Sequence, residues 1–308
     1  MPLIHEKTGG VFVISATPFH PDGAIDWDSL DRLTDSYFED GADGLTILGM
    51  MGEAPKMTQT EAAGIAARVI ARAGDRPVVV GVSAPGLAAL GELSREVMDL
   101  GAAGVMVAPP GSLNTDPKIH GYYAQVCELL GPEVPVVLQD FPLATKVQIS
   151  DEVLARIIAD MPSIKMLKHE DWPGLSKISK IRAAEAAGQR RISILCGNAG
   201  LFLPEEVARG ADGAMTGFGY PKMMVEVTRL VKAGEIDRAQ DLFDAYLPLI
   251  RYESQPGLGL SIRKHVLARR GVIASAAVRK PGGMLDAAAM AEVDRLIARQ
   301  EKRLEELG

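Results

Sequence analysis

Gly41-Ala42-Asp43-Gly44-Leu45-Thr46-Ile47-Leu48 joins the end of one element to the start of the next. Upstream, Leu30, Leu33 and Tyr37 recur at helical spacing behind Asp26 or Asp28, either of which can cap a helix. That helix stops at Gly41, because glycine readily takes the left-handed conformation found just past a helix C-terminus. Leu45 to Leu48 is too short for a helix and reads as a strand buried on both faces. The same joint returns as Gly101-Ala102-Ala103-Gly104 before Val105-Met106-Val107-Ala108, and as Gly210-Ala211-Asp212-Gly213 before Ala214-Met215-Thr216. Three copies of one joint imply a repeated helix-to-strand unit.

The remaining strands fall between these joints. Val11 to Ala16 is apolar and β-branched and closes on Thr17-Pro18. Pro77 to Val82 follows a helical pattern over 60–74, and Val134 to Gln139 follows one over 117–130. Ile164 to Lys168 follows one over 150–160, and Ile192 to Gly197 follows one over 173–187. Short apolar strands alternating with helices require parallel crossovers. Eight such units make an α/β chain of the (β/α)8 TIM-barrel type. A doubly wound open sheet is the rival, but Thr17-Pro18-Phe19-His20 after the first strand is no glycine-rich phosphate fingerprint. Helical patterns alone follow residue 234, near 235–250, 258–270 and 286–305, the last with Met290, Val293, Leu296, Ile297 and Leu304 on one face. The expected organisation is a barrel over 1–234 and a C-terminal helical extension over 235–308, packed as one domain.

Composition narrows the function. The 308 residues are 47% hydrophobic with a net charge of -7 and no basic run, which argues against a nucleic-acid partner. No apolar run approaches a membrane span. Cys127 and Cys196 are too few for a disulfide framework or a zinc site, and no His or carboxylate cluster has metal-ligand spacing. With no apolar leader in Met1 to Lys7, a cytoplasmic location is expected.

Working residues of such barrels lie at the C-terminal strand ends. These ends read Gly49-Met50-Met51-Gly52-Glu53, Ala108-Pro109-Pro110-Gly111, Gln139-Asp140, Lys168-His169-Glu170, Cys196-Gly197-Asn198 and Thr216 to Tyr220. Lys168 closes a buried strand. Burial disfavours the charged form of an amine, and a neutral amine is what Schiff-base chemistry with a carbonyl requires. Backbone N–H groups in the Gly49 turn suit an anion. Glu170 shares the parity of Lys168, whereas His169 points the other way and reads as structural. Asp140 is likewise out of phase with Gln139, unless the chain has already left the strand there. Asp140, His169, Glu170 and Tyr220 are the titratable candidates at the rim; Gln139 can orient a water but cannot titrate. Cys196 reads as a core thiol, and Glu53 as a brace for its loop.

The chain resembles the class I aldolases and dehydratases related to dihydrodipicolinate synthase and N-acetylneuraminate lyase. The likeness is carried by Gly49-x-x-Gly52-Glu53 with Thr58, Lys168 closing strand six, Gly197 closing strand seven, and Glu253 with Pro256. It implies that Lys168 forms a Schiff base and that Gly49, Met50, Met51 and Gly52 hold the carboxylate of a 2-oxo acid. Gln139 and Glu170 then complete the catalytic set, and Asp140, Gly197 and Thr216 line the substrate. No metal or cofactor is implied, and the partners expected are a small 2-oxo acid and further copies of the chain, as a dimer or tetramer. Several positions depart from the family pattern. Met50 and Met51 stand where hydroxyl or amide side chains are usual, Gln139 where the family keeps a tyrosine, and Ala144 where dihydrodipicolinate synthases place an arginine. Gln139-Asp140, Lys168-x-Glu170 with Pro173-Gly174, Gly213 to Gly217 and Gly271 to Ser275 are similar to 2-keto-3-deoxy-L-arabonate dehydratases. The function implied is dehydration of a 2-keto-3-deoxy sugar acid. Aldol or retro-aldol chemistry on pyruvate, or a non-catalytic 2-oxo-acid-binding relative, are the alternatives.

Overall fold

A computed structural model describes residues 2–172 and 174–308. Strands β1 (Gly10–Ile14), β2 (Gly44–Ile47), β3 (Val78–Gly81), β4 (Gly104–Val107), β5 (Val136–Asp140), β6 (Ile164–His169), β7 (Ser193–Cys196) and β8 (Gly213–Ala214) pair in parallel, in chain order. β8 pairs back onto β1, so the sheet is closed. The chain is a (β/α)8 barrel, as its alternating pattern predicts. Around it run α1 (Trp27–Glu39), α2 (Gln59–Ala73), α3 (Leu87–Asp99), α4 (Asp116–Leu130), α5 (Pro142–Thr145), α6 (Asp151–Asp160), α7 (Leu175–Ala186), α8 (Leu203–Ala208) and α9 (Pro221–Lys232). The C-terminal helices are α10 (Ile236–Glu253), α11 (Gly259–Arg269) and α12 (Ala287–Leu307).

The repeated joint has a physical account for each of its glycines. Gly41, Gly101 and Gly210 hold φ of 92°, 97° and 99°, the left-handed turn that ends the preceding helix. Gly44, Gly104 and Gly213 are needed for space: a Cβ on them would lie 2.8, 2.8 and 1.9 Å from the carbonyl oxygens of Pro77, Pro135 and Gly10. The aspartate between them also has work in two copies. Asp43 accepts from Val11 N at 2.7 Å and Asp212 from Ile194 N at 2.8 Å, pinning a neighbouring strand at its N-terminal end.

Alternate strand residues fill the barrel. Phe12, Ile14, Val79, Met106, Val137, Met166, Leu195 and Met215 form one inner cluster, while the residues on either side of them in each strand pack outward against the helices. β8 is shorter than the expected Ala214 to Thr216, yet the ladder goes on beyond it: Met215 N donates to Cys196 O, and Ile14 N to Thr216 O. β1 stops at Ile14, two residues before the expected end. The first helix takes Asp26 rather than Asp28 as its cap, through a 2.9 Å bond from Ser29 N. Thr58 and Glu61 build a capping box at the start of α2, which follows the Gly49 turn after a second short turn over Ala54–Lys56. The last helix buries Val293 and Ile297, whereas Met290 of the same expected stripe stays exposed. The Pro173 part of the predicted Pro173-Gly174 signature lies outside the described residues.

The extension is tied to the mouth of the barrel by buried ion pairs. Arg263 of α11 bridges Glu253 at 2.5 Å and the carbonyl of Gly217, just past β8. Glu253 also accepts from Gly219 N at 3.1 Å. Lys264 reaches across to the loop after β2, at Glu53.

Candidate active site

Three side chains that share an inward parity meet at the C-terminal mouth. Gln139 of β5 and Lys168 of β6 are direct ladder partners, and Glu170 follows Lys168 by two. Lys168 Nζ lies 3.0 Å from Glu170 Oε2, and Gln139 Nε2 donates to that same oxygen at 2.7 Å. All three are at least 95% buried, with exposures of 3% for Gln139 and 5% each for Lys168 and Glu170. The carboxylate is held from two sides while its other oxygen faces Gly197.

Gly197 at the end of β7 makes that pose possible. A Cβ there would stand 2.2 Å from Glu170 Cγ and 2.5 Å from Oε1, well inside van der Waals contact. The demand at this position is for volume, which a side chain would take from Glu170. Asn198 adds a second hold, donating its side-chain amide to the carbonyl of Glu170 at 3.0 Å.

Beside the triad, Met50–Gly52 forms one 3-10 turn after β2. Gly52 N and Ala54 N bond back to Gly49 O, and Glu53 N to Met50 O. The N–H groups of Met50 and Met51 are those that such a turn leaves without an internal partner. Leu48, at φ 54°, swings its carbonyl toward β3, where only a glycine fits: a Cβ on Gly81 would lie 2.3 Å from that oxygen. Gly52 is buried, and its carbonyl accepts from Thr17 Oγ1 at 2.7 Å. The Met51 side chain packs on the inner cluster, while Met50 stands 42% exposed.

Glu53 anchors this turn to the C-terminal extension. Its buried carboxylate meets Lys264 Nζ at 2.5 Å, Lys56 Nζ at 2.8 Å and Arg279 N at 3.0 Å. Lys264 is itself fully buried with its ammonium over the Phe19 ring, and burial lowers its pKa although Glu53 opposes the shift. Lys264 and Arg279 lie more than two hundred residues from Glu53 in sequence, and no local pattern announces them.

Other rim residues are not brought to Lys168. Asp140 was expected to touch substrate; its carboxylate instead faces outward, 2.8 Å from Lys177 Nζ of α7, because it is one residue out of phase with Gln139. Burial pushes Asp140 up to about 6 against the pull of Lys177. Lys177, which also bridges Asp171 at 2.7 Å, is absent from the sequence reading. His169 also faces outward, with Nε2 3.1 Å from Gly174 O, and burial drops it to about 4, so the ring is neutral at physiological pH. Tyr220 stacks with Phe218 and Tyr246 at 6.0 and 5.9 Å, in a cluster under the extension. Cys196 is buried on the outer face, beside Glu206 of α8, whose carboxyl burial pushes up to about 8. Thr216 is buried past β8, its methyl group turned toward Gly200.

A cavity of about 650 Å³ opens from this mouth between the loops that follow β2, β3, β4 and β5. Gly49, Met50 and Gln139 line it, so it adjoins the turn and touches the triad at Gln139. Its size suits a small organic ligand. Among the described residues no group of His, Cys, Asp or Glu is arranged to hold a metal ion, and no helix is long and apolar enough to cross a membrane.

Comparison with known proteins follows this geometry. The chain is 30% identical to an L-2-keto-3-deoxyarabonate dehydratase of Azospirillum brasilense over 277 residues, 88% of each chain. It is 31% identical to a 4-hydroxy-tetrahydrodipicolinate synthase of Sorangium cellulosum over 306 residues, covering 96% of this chain and 97% of that one. A crystal structure of a dihydrodipicolinate synthase from Rhodopseudomonas palustris superposes with a TM-score of 0.96 at 54% identity, over 97% of this chain and 100% of that one. Residues 7–300 match the model of the dihydrodipicolinate synthetase family. The chain therefore belongs to the dihydrodipicolinate synthetase family, and is a lyase of the hydro-lyase or class I aldolase kind.

Proposed function

We propose that this lyase forms a Schiff base between Lys168 and a 2-oxo acid, and that its reaction is dehydration of a 2-keto-3-deoxy acid, the sugar acids being the class its dehydratase relative is named for. The observation that carries the reading is the buried Lys168 amine 3.0 Å from a carboxylate held by Gln139, near a turn whose own bonds leave the Met50 and Met51 N–H groups unused. In this reading the N–H groups of Met50 and Met51 bind the substrate carboxylate. Lys168 Nζ attacks C2, and the carbonyl oxygen leaves as water. The iminium then draws electrons from the C3–H bond, and the proton passes to Glu170. The enamine expels the C4 hydroxyl, which takes a proton and departs as a second water. Hydrolysis of the conjugated iminium consumes one water and returns the amine, so the net change is the loss of one.

Gln139 directs this chemistry by holding Glu170. An amide cannot take over a titrating role, and general acid–base help is worth ~100 to 10,000-fold, so the carboxylate must supply it. The aldol alternative has the support of relatives named as 4-hydroxy-tetrahydrodipicolinate synthases. Ala144, where those enzymes were expected to carry an arginine for a second carboxylate, weighs against it.

The test is incubation with pyruvate and borohydride, followed by peptide mass mapping. An adduct on Lys168 is expected, and its absence with every 2-oxo acid tried would sink the Schiff-base reading. A panel of 2-keto-3-deoxy sugar acids, read for dehydration and for retro-aldol cleavage, separates the two reactions. Adduct formation without turnover of these acids, or of 2-keto-3-deoxy acids with other groups beyond C4, would favour a binding protein. The chain is further proposed to work in the cytoplasm as a dimer or tetramer; a monomer in sedimentation at micromolar concentration would refute the assembly.

A further inference from the structure

The walls of the cavity beside the triad are apolar in a way that the proposed chemistry does not require. Met50, Met57, Leu93, Pro85, Pro109 and Pro110 contribute to it, and no lining residue carries a charge. Its polar side chains are few, namely Ser83, Thr145, Thr58, Gln59 and Gln139, and each of the three hydroxyl oxygens already takes part in a bond within the protein. Ser83 Oγ accepts from Ala108 N at 2.8 Å. Thr145 Oγ1 donates to Phe141 O at 2.9 Å and accepts from Val147 N at 3.2 Å. Thr58 Oγ1 accepts from Glu61 N as the cap of α2. The Gln139 amide gives one N–H to Glu170. A polyhydroxylated chain lying here would give up its water bonds for walls with few free partners, which is unfavourable. An aromatic or branched-alkyl group would bury apolar surface against methionine and proline.

From these observations we infer that the substrate is a 2-oxo acid whose end beyond C4 is an uncharged apolar group, seated in the cavity between the β2, β3 and β4 loops. The inference rests on the Schiff-base reading of Lys168 and narrows the substrate within it. The carboxylate and carbonyl end occupies the turn and the triad; the apolar end extends past Gln139 into the cavity.

The experiment compares borohydride trapping at Lys168 by pyruvate, by 2-oxo-4-phenylbutanoate and by L-2-keto-3-deoxyarabonate, on the full chain in its native assembly. The phenyl acid is expected to half-saturate trapping at a concentration at least ten-fold lower than either of the others. In Ala84→Phe, which places a ring in the cavity, that advantage should disappear. If pyruvate traps but the phenyl acid has no advantage, the apolar cavity is not the substrate's seat and only the Schiff-base reading stands. A cavity sealed by another copy of the chain would give that same result and overturns the inference equally. Tighter trapping by the sugar acid also overturns it. Failure of all three acids to trap would remove the Schiff-base reading and the inference with it.

Discussion

Replacing Gly197 by alanine tests the triad without touching any of its members. The added Cβ would lie 2.2 Å from Glu170 Cγ, 2.5 Å from Oε1 and 2.6 Å from Cδ. Carbon atoms prefer ~3.5 to 4.0 Å, so the Glu170 side chain must retreat by roughly 1.3 Å or more. A shift of that size takes its carboxylate out of hydrogen-bond range of one or both of its donors, Gln139 at 2.7 Å and Lys168 at 3.0 Å. If Glu170 removes the C3 proton, its displacement should cost ~100 to 10,000-fold in that step, or ~2.7 to 5.4 kcal/mol of barrier. The assay needs no knowledge of the true substrate: enzyme-catalysed exchange of pyruvate methyl protons in D2O, followed by NMR, reports C3 deprotonation directly. Gly197→Ala and Glu170→Gln should each abolish most of the exchange, and the double variant should lose little more than the worse single one, because both act through one carboxylate. Exchange within about three-fold of the parent in a folded Gly197→Ala variant would refute the reasoning.

Three further outcomes follow from the same geometry. Glu53→Gln leaves the fully buried Lys264 ammonium without its partner and should destabilise the fold by ~3 to 5 kcal/mol, while Glu53→Gln/Lys264→Met should recover a large part of it in denaturant unfolding. Gly81→Ala drives a Cβ to within 2.3 Å of the Leu48 carbonyl and should raise, several-fold or more, the pyruvate concentration needed for trapping; unchanged trapping would show that the turn does not hold the carboxylate. Glu206, lifted by burial to about 8 from an ordinary 4.5, keeps a proton in the fold that the unfolded chain has lost. Stability should therefore fall as pH rises from about 4.5 through about 8, at up to ~1.4 kcal/mol per pH unit, and Glu206→Gln should flatten that decline; parallel pH curves for parent and variant would disprove the assignment.

What could be read from the chain before its structure divides along a physical line. The barrel was legible because each joint is local: a glycine ending a helix, a short apolar run and a repeat of both need no distant partner. Parity alone put Glu170 on the face of Lys168 and His169 on the other, since two-residue alternation is a property of any strand. Asp140 would reach the substrate only if the chain left the strand before it; the strand persists through Asp140, so its side chain turns to Lys177. Gly197 was visible as a glycine, but not as the space that Glu170 occupies, because the space belongs to β6 and the residue to β7. Lys264 and Arg279 could not be found at all. Their contact with Glu53 exists only once the extension has folded back over the mouth, and nothing in the residues around either end encodes it.

The glutamine at position 139, where the family resemblance leads to the expectation of a tyrosine, has a stereochemical consequence under the proposed reaction. Among the described residues, Glu170 is the titratable side chain bonded to Lys168, and Gln139 can only donate to it or orient water. If no oriented water carries the second proton, one carboxylate serves twice: it removes the C3 proton, and as an acid it returns a proton to the departing C4 hydroxyl. Glu170 is fixed by Gln139 and Lys168, and Gly197 leaves its other oxygen room on that same side, so it cannot reach both faces of a bound substrate. The proton and the hydroxyl must therefore leave from the same face, a syn elimination. A 2-keto-3-deoxy acid labelled with deuterium in one of its two C3 positions, of known configuration at C4, decides this by the retention or loss of label in the product. Loss of the label lying syn to the hydroxyl is the expected result. Loss from the opposite face would require a second base across the substrate, and Glu170 would then be the acid or the base but not both.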